Sequence, residues 1–465
     1  MSTRLFQRDR AGEPVDQRAK MLETPVSRLI PVLAVPTIIS MLVTSLYNMA
    51  DTYFVSQINT SASGAVGIVF SVMAIIQAAG FTVGLGTGSI VSRLLGQNKR
   101  EGRQVETYAS SGVCLALVVG ALLAALGLCN LDGLIWLLGS TATIHPYAKE
   151  YAWYILLGAP VMVLSYTLNN LLRWQGRAQL ATIGLATGGI LNIILDPLFI
   201  FVFGMGIGGA GAATLLSQCI SMSILASMFL FKHSDVHLSP AFISRSPKVY
   251  LAILKQGMPS FFRQGSMSAA NVALNFNAKL YNDAAVAALA IVAKVFMLVQ
   301  SIIIGFGQAF QPVLGYSYGA RKLDRVKEAL VFSLKICTSI LLAAAAIGLL
   351  FAPQIIALFR RDDPDVIAIG TWALRFQCLT LPLSPLMMFT NMLFQSLGKS
   401  GRASFLAMFR QCIFIPLVFF LSSQFALTGL ELTQATADLL AAAATAVFLT
   451  QYFRREFWKE AGAEP

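Results

Sequence analysis

The chain has 465 residues, 56% of them hydrophobic and 12% charged, with 34 lysines and arginines against 22 acids and a net charge of +12. A mean hydropathy of +0.69 excludes an ordinary soluble domain. Apolar runs of about 20 residues, enough to cross a hydrocarbon core of about 30 Å, predict an all-α polytopic membrane protein.

Residues 1–28 are polar and mixed in charge, with no apolar core followed by a cleavage site, and read as a cytoplasmic lead-in. From there the composition predicts twelve transmembrane helices in two pseudo-symmetric six-helix lobes, starting near residues 29, 62, 107, 150, 178, 209, 256, 284, 329, 371, 403 and 432. The first lobe is expected over 29–232, a polar linker over 233–255, the second lobe over 256–453 and a basic tail over 454–465. Basic residues concentrate in alternate connectors, such as Arg93, Lys99, Arg100 and Arg103, then Lys232, Arg245, Lys248 and Lys255, whereas the opposite loops hold little beyond Lys149, Arg360 and Arg361. That alternation argues against a nucleic-acid partner and, by the positive-inside rule, places both termini in the cytoplasm of a bacterial inner membrane.

The first span contains Pro36, a hinge candidate because it removes a backbone hydrogen bond, and then Tyr47, Asp51 and Tyr53. Glycines 84, 86 and 88 in the second span allow close helix approach. The fifth span carries Asn192, Asp196, Pro197 and Phe199, and the sixth is entered through a glycine-rich outer turn, Gly204 to Gly211, before Thr214. An Asp at mid-membrane costs about 2.5–3.5 kcal/mol, so such acids face a cavity or a partner. Rises of ~34 Å from Arg28 to Asp51 and ~29 Å from Arg177 to Asp196 put both carboxylates at one depth. Asn192 lies one turn from Asp196 on the same face, and Thr214 falls near that level. Two carboxylates, an amide and a hydroxyl suit either a shared proton or a small hard cation.

Beyond the linker the pattern repeats. At an offset of 223 residues Pro36 meets Pro259, Gln77 meets Gln300, Gly84 meets Gly307 and Gly96 meets Gly319. Six spans per copy make these parallel repeats, an arrangement of secondary transporters. The copies differ at the acids: Leu274 stands opposite Asp51, and aligning Pro197 with Pro416 sets Ile415 opposite Asp196. The second copy instead places Arg263, Lys294 and Arg410 within its spans. Arg263 and Arg410 lie near helix ends where snorkelling serves them; Lys294 lies deeper, and if it lines the cavity it favours neutral, zwitterionic or anionic substrates. Tyr53, Met73, Phe199 and Met297 offer an adaptable drug-binding lining, though such residues are also ordinary packing or lipid-facing side chains. The six scattered cysteines imply neither a disulfide nor a metal, and the three histidines fall in connectors, so no enzymatic cluster is visible.

Five stretches, Tyr47–Val55, Gly84–Gly96, Asn192–Ile200, Gly206–Thr214 and Phe310–Ala320, resemble those of the multidrug and toxic compound extrusion (MATE) family, the last looking like its MepA-type branch. The resemblance runs from Pro25 to about Arg455. It implies an antiporter that expels amphipathic, often cationic, drugs as protons or sodium ions enter. From the paired lobes we expect rocker-switch motion of a monomer within membrane lipid, with no cofactor. The resemblance also implies a coupling site at Asp51, Asn192, Asp196 and Thr214, as in DinF-like members, with Tyr47 and Tyr151 as further members of the network. The branch that couples through second-lobe acids fits less well, since residues 256–280 contain none. The alternatives are a flippase for lipid-linked precursors, or an exporter of anionic or neutral metabolites, both kept open by the basic residues of the second lobe.

Overall fold

The computed structural model describes residues 16–97, 103–231, 233–279, 283–359, 363–457 and 459. Lys99, Arg100, Lys232, Arg360 and Arg361 lie outside them. The described residues are helical, with no strand.

A short helix α1 (Gln17–Glu23), capped by the Asp16 side chain on the Arg18 amide, precedes the first membrane helix. The first lobe comprises α2 (Val26–Ser56), α3 (Thr60–Gly96), α4 (Gln104–Cys129), the short α5 (Leu131–Leu137), α6 (His145–Leu157), α7 (Ala159–Trp174), α8 (Ala178–Pro197) and α9 (Gly206–Leu230). The second comprises α10 (Pro247–Lys279), α11 (Asp283–Gly319), α12 (Leu323–Phe359), α13 (Pro364–Thr380), α14 (Ser384–Ser396) and α15 (Ser400–Tyr452). Ten stretches among the described residues are long and apolar enough to cross a membrane, and α6 with α7, bent by 49°, forms an eleventh. The 33-residue α10 matches the expected seventh span in length, but Arg263, Gln264, Ser266 and Ser268 along it lower its apolar character.

Three local features differ from the sequence pattern. The 53-residue α15 contains two spans, Ser400–Phe425 and Thr428–Phe457. The chain reverses between them: a methyl on Gly429 would lie 1.9 Å from the carbonyl oxygen of Leu421. The glycine-rich run is not a turn throughout, because Gly206–Gly211 form the opening turns of α9. Glycine is needed there for packing, as a methyl on Gly209 would sit 2.7 Å from the Phe199 carbonyl carbon and one on Gly211 2.9 Å from the Tyr154 side chain. Finally, α2 and α10 pass through Pro36 and Pro259 as continuous helices. The Pro36 carbonyl accepts a 2.8 Å bond from Thr182 of α8, which ties that stretch to its own lobe.

The lobes meet along the half of the bundle that carries α1, and the contact repeats itself across the pseudo-symmetry. A methyl on Gly96 would lie 2.3 Å from the Tyr316 carbonyl oxygen, and one on Gly319 2.2 Å from that of Arg93. The 223-residue offset exchanges Gly96 with Gly319 and Arg93 with Tyr316, so one contact is the mirror of the other. The same pair of positions caps helix ends across the interface. Arg93 donates to the Ser396 carbonyl at the end of α14 at 2.9 Å, and Tyr316 donates to the Gln175 carbonyl beyond α7 at 3.4 Å. A cation or hydroxyl there satisfies carbonyls that lack an intrahelical partner. Helix α1 straps over this junction: Arg18 and Gln17 bond the carbonyls of Gly96 and Gly176 in the first lobe, while Arg325 and Lys322 of the second bond those of Met21 and Leu22.

A buried carboxylate cluster as candidate functional site

Four helices of the first lobe bring polar side chains into one buried cluster. Asp51 and Tyr47 come from α2, one turn apart, and Tyr151 comes from α6, ahead of the bend into α7. Asn192 and Asp196 lie at i and i+4 on α8, and Thr214 lies on α9. Asp196 is fully buried and Asp51 is 7% exposed; Asn192, Thr214 and Tyr151 are buried as well. The Tyr151 hydroxyl donates to Asp51 Oδ2 at 3.2 Å. The Asn192 amide donates one hydrogen to Asp196 Oδ1 and the other to Thr214 Oγ1, each at 3.2 Å. Two polar links result: Tyr151 holds Asp51, and Asn192 joins Asp196 to Thr214.

Pro197 closes α8 directly behind this cluster, and the backbone continues as a π-helical turn, Leu198–Val202. Proline has no amide hydrogen to continue the ladder, and a widened turn relieves the clash of its ring. The chemistry of the cluster lies in what its donors leave over. Asp51 Oδ1, Asn192 Oδ1 and Asp196 Oδ2 are buried without a hydrogen-bond partner, and all three are acceptors. A proton on a carboxyl or a small cation among these oxygens would answer that imbalance. No group of three histidine, cysteine or acidic residues suited to a metal occurs among the described residues.

The remaining candidates spread outward from the cluster. Met73 places its sulfur 4.0 Å from the Tyr151 hydroxyl, and Phe199 packs on Phe203 with ring centroids 5.5 Å apart. Tyr53 is 62% exposed, and Lys294 is exposed on α11. Arg410 forms a 2.5 Å ion pair with Asp438, whose residue is 2% exposed, so its charge is matched inside the second lobe. Sequence reasoning passed over Asp438, although the cost argument that singles out Asp51 applies to it equally. It also missed Tyr166, whose hydroxyl accepts from Gln77 at 3.5 Å; a tyrosine in an apolar span gives no signal of its own.

A profile of the MatE family matches residues 36–198 and again 259–420. The chain belongs to the MatE family. The two matched segments begin 223 residues apart, at the interval of the internal repeat, and this MatE chain is accordingly an integral membrane protein of a transporter family. It is similar to the multidrug export protein MepA of Staphylococcus aureus, with 26% identity over 93% of this chain and 95% of that one. An FAD transporter of Shewanella oneidensis is 28% identical over 78% of this chain and 80% of its own. A MOP-superfamily transporter of Pyrococcus furiosus, described as having a binding pocket of reversed polarity, superposes with a TM-score of 0.88 at 30% identity, covering 95% of this MatE chain and 98% of its own.

Proposed function

We propose that this MatE protein is a secondary active exporter of amphipathic small molecules, driven by antiport with protons or sodium ions bound at the buried cluster of its first lobe. The observation that carries the reading is the set of three partnerless buried oxygens shared by Asp51, Asn192 and Asp196. Buried acceptors without donors are costly, and a proton or cation arriving from the membrane's outer side removes that cost. Such an arrangement is sensitive to occupancy by construction.

Coupling requires that each ligand bind the two access states unequally. In this reading the conformation in hand, with the lobes closed on the basic α1 face, has its cleft directed outward, and that basic face lies in the cytoplasm. Loading the cluster changes the hydrogen bonds of α2, α8 and α9. Because α2 packs both on α8 and on α11 of the other lobe, a change at Asp51 is transmitted to the lobe interface. Substrate in the cleft and the ion in the cluster then favour opposite arrangements, which is antiport by a rocker switch.

The test is export of a fluorescent cation and a neutral dye from proteoliposomes under imposed proton or sodium gradients. One gradient is expected to drive export in the unaltered protein, and Asp51→Asn or Asp196→Asn is expected to reduce it by at least ten-fold. Export that persists in both variants with its ion dependence intact would contradict the assignment.

A further inference from the structure

We infer that the cleft between the lobes contains an anion-binding subsite at Lys294, so that the preferred substrates are amphipathic molecules carrying a phosphate or carboxylate; this rests on the exporter reading and names its substrate class. The argument begins where α2 and α11 touch. Thr37 bonds the Gly305 carbonyl at 2.6 Å, and further along the hydroxyls of Ser45 and Ser301 meet at 2.8 Å, both residues being buried. Positions four and seven residues away on a helix share its face. On α11 these are Met297 and Lys294, and on α2 they are Met49 and Thr52. All four are exposed. Faces that meet at the serines are therefore uncovered beyond them, so the helices diverge and Lys294 points into the wedge.

The second seam repeats the pattern. Gln77 of α3 and Gln264 of α10 approach to 3.5 Å. One and two turns beyond them, Met267 is 50% and Phe70 57% exposed. The cleft is thus walled by methionine and aromatic side chains, which adapt to varied apolar bodies.

Its fixed charge is positive. Among the described residues no carboxylate lies within ion-pair distance of Lys294, whereas Arg410 has its partner in Asp438. The acids Asp51 and Asp196 are enclosed in their own cluster and do not offset it. Arg263, next to Gln264 in the chain, is half-buried. The residue 223 positions before Lys294 is Ser71, so the repeat does not require a charge here. A lysine at this depth is costly unless water or an anion reaches it, and a phosphate or carboxylate at the wedge supplies the matching charge.

Riboflavin and riboflavin 5′-phosphate, which share one aromatic body and differ by a phosphate, provide the test, with ethidium as the cation. Binding is read by fluorescence in phosphatidylcholine vesicles. The unaltered protein should hold the phosphate ester about ten-fold more tightly than riboflavin. Lys294→Gln should abolish that preference without changing riboflavin affinity, and Lys294→Glu should turn it toward ethidium. Equal loss for both flavins, or no difference between them in the unaltered protein, overturns the subsite. Phosphatidylglycerol in the vesicles separates lipid from free ligand. Competition by this lipid that disappears in Lys294→Gln assigns the subsite to an anionic headgroup, and absence of competition assigns it to the soluble ester. Gradient-driven ethidium or riboflavin export, reduced at least ten-fold by Asp51→Asn, reports on the exporter reading separately: if it holds while Lys294→Gln changes no selectivity, only the subsite fails.

Discussion

At the scale of single residues, the cluster owes its character to an excess of acceptors. Tyr151 is the donor that holds Asp51 Oδ2, and Tyr151→Phe removes that bond while keeping the ring that fills the site. The expected outcome is a folded protein whose apparent affinity for the coupling ion shifts by about ten-fold, the size of one hydrogen bond to a charged group, measured as the ion concentration for half-maximal export. Asn192 is more exposed to loss because its amide serves two partners. Asn192→Ala leaves both Asp196 Oδ1 and Thr214 without that donor, and its effect on coupling should exceed that of Tyr151→Phe in the same assay. The acids, the amide and the hydroxyl were legible in the sequence because helical rise and the i, i+4 relation fix depth and face. What sequence could not supply was Gln77 on Tyr166, or the ion pair of Arg410 with Asp438, since both depend on which neighbouring helices face one another.

At the scale of helices, the closed face is built on glycine. Ser92 of α3 and Gly315 of α11 approach so closely that a methyl on Gly315 would lie 3.0 Å from the Ser92 Cβ, about half an ångström inside the Cβ–Cβ range of a disulfide, a gap that a small outward shift of the two helices opens. In a background without the six native cysteines, the pair Ser92→Cys and Gly315→Cys should cross-link under mild oxidation, stop export, and regain it on reduction; failure to cross-link would contradict the closed contact. Gly96→Leu and Gly319→Leu should each disfavour closure, because any side chain meets the opposite backbone. Most of the twelve helices could be read from hydropathy, but α1 could not: a seven-residue segment is too short for periodicity to be informative, and it is fixed by cations reaching its terminal carbonyls from the other lobe. The bend between α6 and α7 likewise escaped notice, since two half-length apolar helices add up to an ordinary span.

At the scale of the whole molecule, the two copies share a frame and divide the work. Mirror contacts such as Gly96 on Tyr316 and Gly319 on Arg93 let one interface form from a duplicated sequence, while the clustered acids Asp51 and Asp196 occupy one lobe and Lys294, without a carboxylate partner among the described residues, the other. In the proposed antiport, this separation would let ion and substrate compete through the arrangement of the lobes without touching. Removing the strap contacts by Arg325→Ala should weaken closure on the α1 face and raise the labelling of a reporter cysteine placed at Ser317, with Asp51 and its partners unaltered. The most direct measurement of the central claim is the number of protons or sodium ions released when substrate binds the purified protein, titrated in weak buffer. The account predicts release of at least one ion per substrate in the unaltered protein and none when Asp51→Asn and Asp196→Asn are combined. Equal release from both proteins, or substrate binding without any release, would contradict it.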